Sequence, residues 1–360
     1  MNLTEQRTNN QQDVPEHQTG MTSSIGGLWP PEPASFNRIK GFYTHQIISE
    51  REELENLVQT LESESKRNFS SNNGITRISF RAIVDSDLLR KSADILAPCI
   101  EAIIPLNGTQ DAFNNSYVTY LGLNHSSRSP NSDEINQYRR NLEVVINTTP
   151  LKSPQEIFAR INNKGYNIRA INFLEENTNE REVTINQVAT LYNRFGWNRN
   201  DVIALLSNPS NIIAVANINQ QIVSAGIAEL GKVQVGSHTL RIAEITEAAT
   251  LEEHGKNGLY TAVSSHLLKE LVRISKINGI FNGEIDYAFG ECNANAPGVL
   301  KTAKIQGRNF ATEFMLDLGF PERGILYQHV PIGGSPRKTK YNDLFPAFIN
   351  RRRLYEKWNP

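Results

Sequence analysis

Residues 240–276 join an apolar stretch, a polar turn and an amphipathic segment, and this succession constrains the chain more than any other part of it. Residues 240–250 are rich in Ile, Ala and Thr, as expected of a buried strand, and residues 259–274 repeat apolar side chains every three to four positions, which is typical of a helix. The turn between them holds Gly255 and Gly258. Such a turn directs backbone N–H groups to one point at the positive end of the helix dipole, which suits a phosphate group.

The glycine turn alone does not establish a phosphate site. The spacing and the Lys-Ser/Thr pair of a P-loop are missing, and the chain has no G-x-G-x-x-G sequence. A plain connection between a strand and a helix is therefore the alternative interpretation of the turn.

The amino-acid sequence of the strand and turn resembles the acyl-CoA-binding motif of the GNAT superfamily of N-acetyltransferases. Ala243-Glu244-Ile245 reads like the strand of the histone-acetylating branch, and ITEAATLEE followed by GLYTAV is closer to the branch that acetylates β-lysine. Downstream we predict a strand over residues 279–290 and a helix that ends at Leu318-Gly319-Phe320, with Gly319 as the C′ glycine. The resemblance covers residues 165–333 and implies an α/β (α+β) fold: a mixed, splayed sheet flanked by helices.

The resemblance also implies the cofactor and its contacts. Acetyl-CoA, or another acyl-CoA, would be the co-substrate, and no metal is expected. Pantetheine would enter where the sheet splays, and turn amides would hold the diphosphate, although only the central glycine of the family's loop matches. The implied cofactor-binding residues are Ala248, Thr250, Gly255, Lys256, Asn257, Gly258, Leu259 and Tyr260.

Transfer of an acyl group to an amine requires the amine to lose a proton. A lysine-type amine has a pKa near 10.4, so deprotonation at neutral pH costs roughly 4–5 kcal/mol. A carboxylate whose own pKa is raised by partial burial is a suitable base. Glu244 stands where the histone-acetylating branch keeps its base, and strand alternation predicts that it shares a face with Ala248, whose amide would bind the acyl oxygen. Glu247 is the second candidate, and a solvated strand face or pairing with Arg241 is the alternative for both glutamates.

The general acid has no clear candidate. The family's tyrosine position falls at Phe314, which lacks a hydroxyl group. Tyr260 and Tyr287 are nearest in sequence but are expected to be packing residues, and Cys292 is expected to be a small apolar filler. Three further residues lie where the family contacts pantetheine or the nucleotide, and one histidine precedes the turn: Asn293, Asn295, Arg308 and His254.

The remaining chain divides into three parts. Residues 1–38 are polar and are expected to be disordered or loosely draped. Residues 39–164 are predicted to form an α+β unit, with helices over 44–66 and 134–146 and strands over 76–84 and 117–121. Its last helix begins with a capping box at Ser153-Pro154-Gln155-Glu156. Residues 334–360 are predicted to be a C-terminal tail whose helix packs aromatic side chains on the body.

Composition limits the classes of function. A net charge of −1 favours neither nucleic acid nor an anionic membrane as a partner. The two cysteines, Cys99 and Cys292, cannot build a disulfide framework, and the seven histidines show no metal-ligand spacing. Because no signal peptide or membrane-spanning stretch is evident, we expect a cytoplasmic protein.

Together these observations predict an enzyme that moves an acyl group from acyl-CoA to a small amine or amino acid by direct attack. Two alternatives stay open. One is a protein N-acetyltransferase in which residues 39–164 recognise the target, and the other is a non-catalytic acyl-CoA-binding module. A homodimer is also open.

Overall fold

The computed structural model describes residues 38–70, 74–109, 111–128, 130–171, 178–277, 283–315, 317–318, 320, 323–331 and 341–359. The predicted N-terminal tail, apart from Arg38, lies outside the described residues. The described strands form two sheets with helices on their faces, so the fold is a mixed α+β architecture, as predicted.

Twelve strands and eleven helices, numbered in chain order, make up the described part. The strands are β1 Arg38–Phe42, β2 Arg77–Asp85, β3 Ile100–Pro105, β4 Ser116–Asn124, β5 Asn167–Ile171, β6 Asn211–Ile218, β7 Gln221–Val235, β8 His238–Thr250, β9 Tyr287–Asn293, β10 Asn309–Phe310, β11 Leu326–Pro331 and β12 Tyr341–Asn350. The helices are α1 Arg51–Phe69, α2 Ser86–Lys91, α3 Ala93–Leu96, α4 Ser132–Thr148, α5 Pro154–Asn162, α6 Thr178–Asn193, α7 Arg199–Ser207, α8 Leu259–Ser275, α9 Pro297–Ile305, α10 Thr312–Met315 and α11 Arg351–Trp358.

The larger sheet has the strand order β10-β12-β9-β8-β7-β6-β5, with β11 paired to β12. Every pairing in it is antiparallel except that of β8 with β9, which is parallel. Elements β5, α6, α7, β6, β7 and β8 follow one another along the chain and lead into the glycine turn. This sheet and α8 hold the candidate site.

Helix α8 is packed closely on the larger sheet. Twelve of its side chains are buried, and they include Val263 and Leu267. Both face Gly226 of β7, where an added Cβ would lie 3.1 Å from Val263 Cγ1. The glycine thus allows the helix backbone to approach the strand, which fixes the position of the helix N-terminus.

The smaller sheet has the order β1-β2-β4-β3 and packs face to face on the larger one. Phe42 and Tyr120 of the smaller sheet share a buried cluster with Tyr287, Phe289 and Phe348 of the larger sheet. The two sheets are therefore joined by a continuous core. The predicted boundary at residue 164 stays a prediction, and α4 and α5 on its N-terminal side pack against α9 and α8.

Several predicted helix starts and strands are confirmed. Ser153 and Glu156 form the predicted capping box, with the Glu156 amide donating to Ser153 Oγ at 3.2 Å. A further cap is Asp85, which accepts hydrogen bonds from the Asp87 and Leu88 amides at the start of α2. Helix α4 and strands β2 and β4 lie where the sequence pattern placed them, whereas α1 begins at Arg51, seven residues later than predicted. No helix in the described ranges is long and apolar enough to cross a bilayer.

The prediction that residues 334–360 form a tail is wrong over residues 341–350. These residues form β12, which lies between β9 and the pair β10 and β11. Leu344, Phe345, Ala347, Phe348 and Ile349 are all buried. A strand that is buried on both faces shows no alternation of polar and apolar residues. The apolar run was therefore interpreted as part of a tail whose aromatic side chains pack on the body. The predicted helix follows as α11, with Trp358 buried.

The helix that follows β9 also differs from its prediction. It is α9, which ends at Ile305 and not at Leu318, and Gly307 just beyond it has a φ of +78°. Phe314 lies instead in the four-residue helix α10, with its ring 5.5 Å from that of Phe348. Phe314 is therefore a packing residue of a separate helix, and the general acid stays unassigned. Gly319 lies outside the described residues.

Candidate active site

The larger sheet opens between β8 and β9. The pairing of these two strands covers only Ile242 to Glu244 on β8 and Tyr287 to Phe289 on β9. The next residues, Ile245 and Gly290, mark the apex of the opening. A Cβ added to Gly290 would lie 2.8 Å from the Ile245 carbonyl oxygen, so only glycine fits where the strands begin to part.

A β-bulge interrupts β8 just above this apex. Ile227 pairs with Thr246 and Ala225 pairs with Ala249, so Gly226 alone faces both Glu247 and Ala248. A bulge takes one residue out of the regular ladder and re-aims the side chains around it. The bulge therefore places Glu247 and Ala248 next to the opening.

Because of the bulge, the prediction that Ala248 shares a strand face with Glu244 is wrong. A Cβ added to Gly226 would lie 3.5 Å from Ala248 Cβ and 3.1 Å from Val263 of α8, which places Ala248 on the α8 face of the sheet. Glu244 pairs with Glu229 and Phe289, on the opposite face that the smaller sheet covers. Simple alternation fails here because the extra residue shifts its phase. The side chain of Glu247 lies outside the described residues.

Glu244 is a partly buried carboxyl group in an acidic environment. Burial, together with the charges of Glu291 and Glu229, raises the pKa of Glu244 to about 7 against the opposing effect of Lys40 and Arg81. A carboxyl group with such a pKa can accept a proton near neutral pH. Glu244 therefore has the raised pKa that is expected of a base for an amine.

Arg81 of the smaller sheet covers this face. Its guanidinium carbon lies 4.6 Å above the Tyr120 ring and 4.9 Å from the centre of the Phe289 ring. Its Nη2 is 3.2 Å from Oε1 of Glu291 on β9. The smaller sheet thus contributes a cation that faces Glu244, which the sequence analysis missed because Arg81 and Glu291 are far apart along the chain.

The turn before α8 is held in one conformation by side-chain hydrogen bonds. The Tyr166 hydroxyl oxygen lies 3.0 Å from Nδ1 of His254, and Asn257 Nδ2 donates to the same hydroxyl at 3.2 Å. Gly258 has a φ of +87° and forms the N-cap of α8 without a side-chain cap. The first amides of a 17-residue helix thus point away from the helix without a capping side chain, as an anion site requires.

Basic side chains of α5 and its C-terminal loop surround this turn. Lys164 Nζ donates to Asn257 Oδ1 at 3.0 Å. The Nε and Cζ atoms of Arg160 lie 4.0 Å from a Cβ added to Gly258. Arg160, Lys164 and Lys256 thus place three exposed cations at the positive end of α8. Glu252 and Glu253 on the preceding turn oppose them with negative charge. Arg160 and Lys164 were not predicted at the turn, because α5 belongs to the stretch of residues 39–164 that the sequence pattern treats as a separate unit.

The other predicted cofactor contacts have structural partners. Thr250 Oγ1 lies 2.8 Å from Ser224 Oγ, and Leu259 is buried in the core. Asn293 Oδ1 accepts a hydrogen bond from the Asn295 amide at 2.9 Å, which shapes the loop after β9. Tyr260, Cys292 and Arg308 form a cluster on the α8 face, beside Gly290.

Metal sites and cavities add little to this picture. Among the described residues, no group of three or more His, Cys, Asp or Glu side chains could hold a metal ion. One surface depression of about 560 Å³ is lined by α6 and Arg199, and another of about 480 Å³ by α1 and residues 43–50. Neither is lined by Glu244, the bulge or the glycine turn, so we do not place the chemistry in them.

No protein-family model matches the chain, and no curated protein matches it. Comparison with solved structures returns N-acetyltransferases. The ribosomal-protein-S18-alanine N-acetyltransferase from Escherichia coli is 14% identical, with 52% of this chain and 94% of that chain covered and a TM-score of 0.35. NAA60 from Arabidopsis thaliana, in complex with acetyl-CoA, is 10% identical, with 52% and 99% covered and a TM-score of 0.36. At these identities the likeness assigns neither an activity nor a substrate to this chain.

Proposed function

We propose that the chain is an acyl-CoA-dependent N-acyltransferase that acts on a small amine or amino acid. The observation that carries the proposal is the position of Glu244, a carboxyl group with a pKa raised to about 7, at the last paired residue before β8 and β9 part. A base of that strength beside a gap in a sheet fits the removal of a proton from an amine.

The base acts on the face that the smaller sheet covers. Glu244 accepts a proton from the ammonium form of the acceptor, and the neutral amine then attacks the thioester carbonyl. An amide of the β8 bulge donates a hydrogen bond to the acyl oxygen as that oxygen gains negative charge. The nitrogen releases its second proton to solvent as the C–S bond breaks, and the departing thiolate takes a proton from solvent, because no described side chain is assigned as an acid.

The nucleotide end of the donor would bind at the glycine turn. The first amides of α8 would hold the diphosphate, and Arg160 and Lys164 would add charge-assisted contacts. The donor would then run along β8 from the turn to the bulge, on the face of α8 where Ala248 lies.

A small acceptor is favoured by two observations. The smaller sheet packs directly on the Glu244 face and leaves little room for a protein segment, since Arg81 lies over Tyr120 and Phe289. The resemblance of residues 245–263 to the β-lysine-acetylating branch points in the same direction. The carboxylate or second amine of such an acceptor would meet the charges of Arg81, Glu229 and Glu291.

The test of function is thiol release from acetyl-CoA and longer acyl-CoAs in the presence of a panel of amines, amino acids and peptides with free N-termini. Turnover with small amines alone is the expected result. Turnover only with peptides would favour a protein acceptor. Binding of CoA without turnover of any acceptor would leave a non-catalytic module, and the enzyme proposal would then be abandoned.

A first prediction concerns the glycine turn. CoA at about a hundred times its Kd should stabilise the protein by roughly 2.7 kcal/mol, seen as a thermal shift of a few degrees. Gly258→Pro should abolish the shift, because proline fixes φ near −65° where Gly258 has +87°. Gly298→Ala is the matched control, since a Cβ there meets no atom within 4 Å. A shift that survives Gly258→Pro would place the nucleotide elsewhere.

A second prediction concerns the cations of α5 and its loop. Arg160→Gln and Lys164→Gln should each weaken CoA binding about fivefold, the equivalent of about 1 kcal/mol for an exposed charge-assisted contact. The salt dependence of the Kd should become shallower in both variants. Titration calorimetry at low and high salt measures both effects. Arg199→Gln on the outer face of α7 is the control, and an equal loss there would mean that only net charge matters.

A further inference from the structure

Arg308 is a buried cation at the apex of the opening between β8 and β9. The residue is only 5% exposed. Its Nη1 lies 2.8 Å from the position that a Cβ of Gly290 would occupy, and the Ile245 carbonyl oxygen lies at the same distance from that position. The guanidinium therefore sits over the first residues at which the two strands have parted, on the face of α8.

This guanidinium has no ion-pair partner among the described residues. Its Nε is a fully buried atom without a hydrogen-bond partner. The titratable groups that face it are the Tyr260 phenol and the Cys292 thiol, both neutral at pH 7, and burial lowers the pKa of Arg308. Arg353 and Lys357 lie around the neighbouring Gly307 and add positive charge beside the backbone of Arg308. A buried guanidinium with no negative neighbour among the described residues favours the binding of an anion.

The guanidinium and the glycine turn lie at opposite ends of the same strand. Five residues of β8 separate Ile245 from Thr250, which corresponds to roughly 16 Å along the strand. Because Arg308 also faces Tyr260 in the first turn of α8, the diphosphate is one competing anion, and a loss of CoA affinity in Arg308→Met would assign the guanidinium to the diphosphate. The bulge at Ala248 is only three residues away, or roughly 10 Å.

We propose, on the basis of the proposed function, that the acyl group of the donor ends in a carboxylate and that Arg308 binds this carboxylate. The acyl oxygen would accept its hydrogen bond at the bulge, and the carboxylate would lie at the apex. The bulge and the apex are roughly 10 Å apart along the strand. Two hydrogen bonds of about 2.9 Å, one at each end, leave roughly 4 Å between the acyl oxygen and the carboxylate oxygen. A four-carbon dicarboxylic acyl group fits that separation, so succinyl-CoA is the donor we expect.

The leaving thiolate is the other anion that could meet Arg308. It exists only as the thioester breaks, whereas Arg308 is buried before any donor binds. A permanent carboxylate offsets the desolvation of the guanidinium in the bound complex, and a transient thiolate does not. The carboxylate is therefore the partner that the resting structure favours.

The test compares succinyl-CoA with butyryl-CoA, which has the same chain length and no carboxylate, by titration calorimetry on the full chain. The wild type should bind succinyl-CoA at least tenfold more tightly, as a charge-assisted bidentate contact provides. Arg308→Met should remove this preference and leave the affinities for butyryl-CoA and CoA within about twofold of wild type. Lys357→Met, whose Nζ donates to the Ile305 carbonyl, should retain the preference.

The outcomes separate this proposal from the proposed function. Equal binding of the two acyl-CoAs by the wild type would overturn the carboxylate proposal and leave the acyltransferase proposal standing. A preference that survives Arg308→Met, or a loss of CoA affinity in that variant, would also overturn it. If neither acyl-CoA nor CoA binds, the proposed function fails first. Slower turnover of acetyl-CoA in Arg308→Met without any succinyl preference would assign Arg308 to the leaving thiolate instead.

Discussion

Glu244→Gln is expected to lower kcat on an aliphatic amine about 10²–10⁴-fold while leaving the Kd for CoA unchanged. Glutamine keeps the shape and polarity of the side chain, but it cannot accept a proton. An arylamine that is already neutral at pH 7 needs no base and should lose little. Steady-state kinetics on the two classes of amine therefore distinguish loss of the base from general damage to the site.

The pH profile gives a second measure of the same residue. Because burial raises the pKa of Glu244 to about 7, kcat/KM of the wild type should rise with pH through an apparent pKa near 7. Below that pH the carboxyl group is protonated and cannot act as a base. The acidic limb assigned to Glu244 should disappear in Glu244→Gln.

Stability should change in the opposite direction from activity. The ordinary pKa of a glutamate is 4.5, and in the folded protein the pKa of Glu244 is about 7. Between these values the folded state binds the proton more tightly than the unfolded state does, so stability falls as pH rises through this window. Glu244→Gln removes this loss, and its Tm relative to wild type should be higher at pH 8 than at pH 5.

Glu247→Gln is the matched comparison, because Glu247 lies in the bulge of the same strand. If Glu247→Gln lowers the rate on an aliphatic amine and Glu244→Gln does not, the base has been placed on the wrong residue. If neither variant changes the rate, the amine loses its proton to water and the proposed role of Glu244 is wrong. Glu291→Gln tests the environment, and it should lower the apparent pKa because a neighbouring negative charge is removed.

The local parts of the site could be predicted from sequence because they depend on neighbours in the chain. The strand, turn and helix of residues 240–276 carry their own hydrophobic periodicity and glycine positions. Glu244 was identified from the tripeptide Ala243-Glu244-Ile245. The β8 bulge could not be predicted, since it depends on the register with Gly226 of the neighbouring strand.

The parts contributed by distant segments were missed for the same physical reason. Arg81 faces Glu244 only because the smaller sheet packs on the larger one. Lys164 reaches Asn257 across 93 positions of sequence. Strands β3 and β12 escaped prediction because β3 and residues 344–349 of β12 are buried on both faces, a pattern that periodicity cannot distinguish from other buried segments.

Glu101→Gln is expected to lower the free energy of unfolding by about 3–5 kcal/mol, the largest stability change that we predict. Glu101 and Arg77 have side chains that are 3% and 0% exposed, and Arg77 Nη1 donates to Glu101 Oε1 at 3.0 Å. Gly122 makes room for the carboxylate, because an added Cβ would lie 2.1 Å from Glu101 Cδ. Glutamine at position 101 would leave the buried Arg77 charge without its carboxylate.

This pair also joins the smaller sheet to the larger one. Arg77 Nη1 donates to the carbonyl oxygen of Tyr327 in β11 at 2.9 Å, and the Glu101 carbonyl accepts a hydrogen bond from the Gly324 amide. Loss of the carboxylate should therefore loosen the packing that holds Arg81 over the Glu244 face. Fluorescence-monitored urea unfolding measures the stability change, and CoA affinity at the distant turn should be retained at temperatures where the variant is folded.

Two further variants test the pair as the cause of the loss. Glu55→Gln removes the carboxylate of the exposed pair with Arg51 and should cost no more than about 0.5 kcal/mol. The double variant Arg77→Met with Glu101→Leu removes both charges, so it should be more stable than Glu101→Gln alone even though it has lost one more polar side chain. A double variant that is less stable than the single one would show that the hydrogen bonds of Arg77 to Asn124 and Tyr327, rather than the buried ion pair, hold the two sheets together.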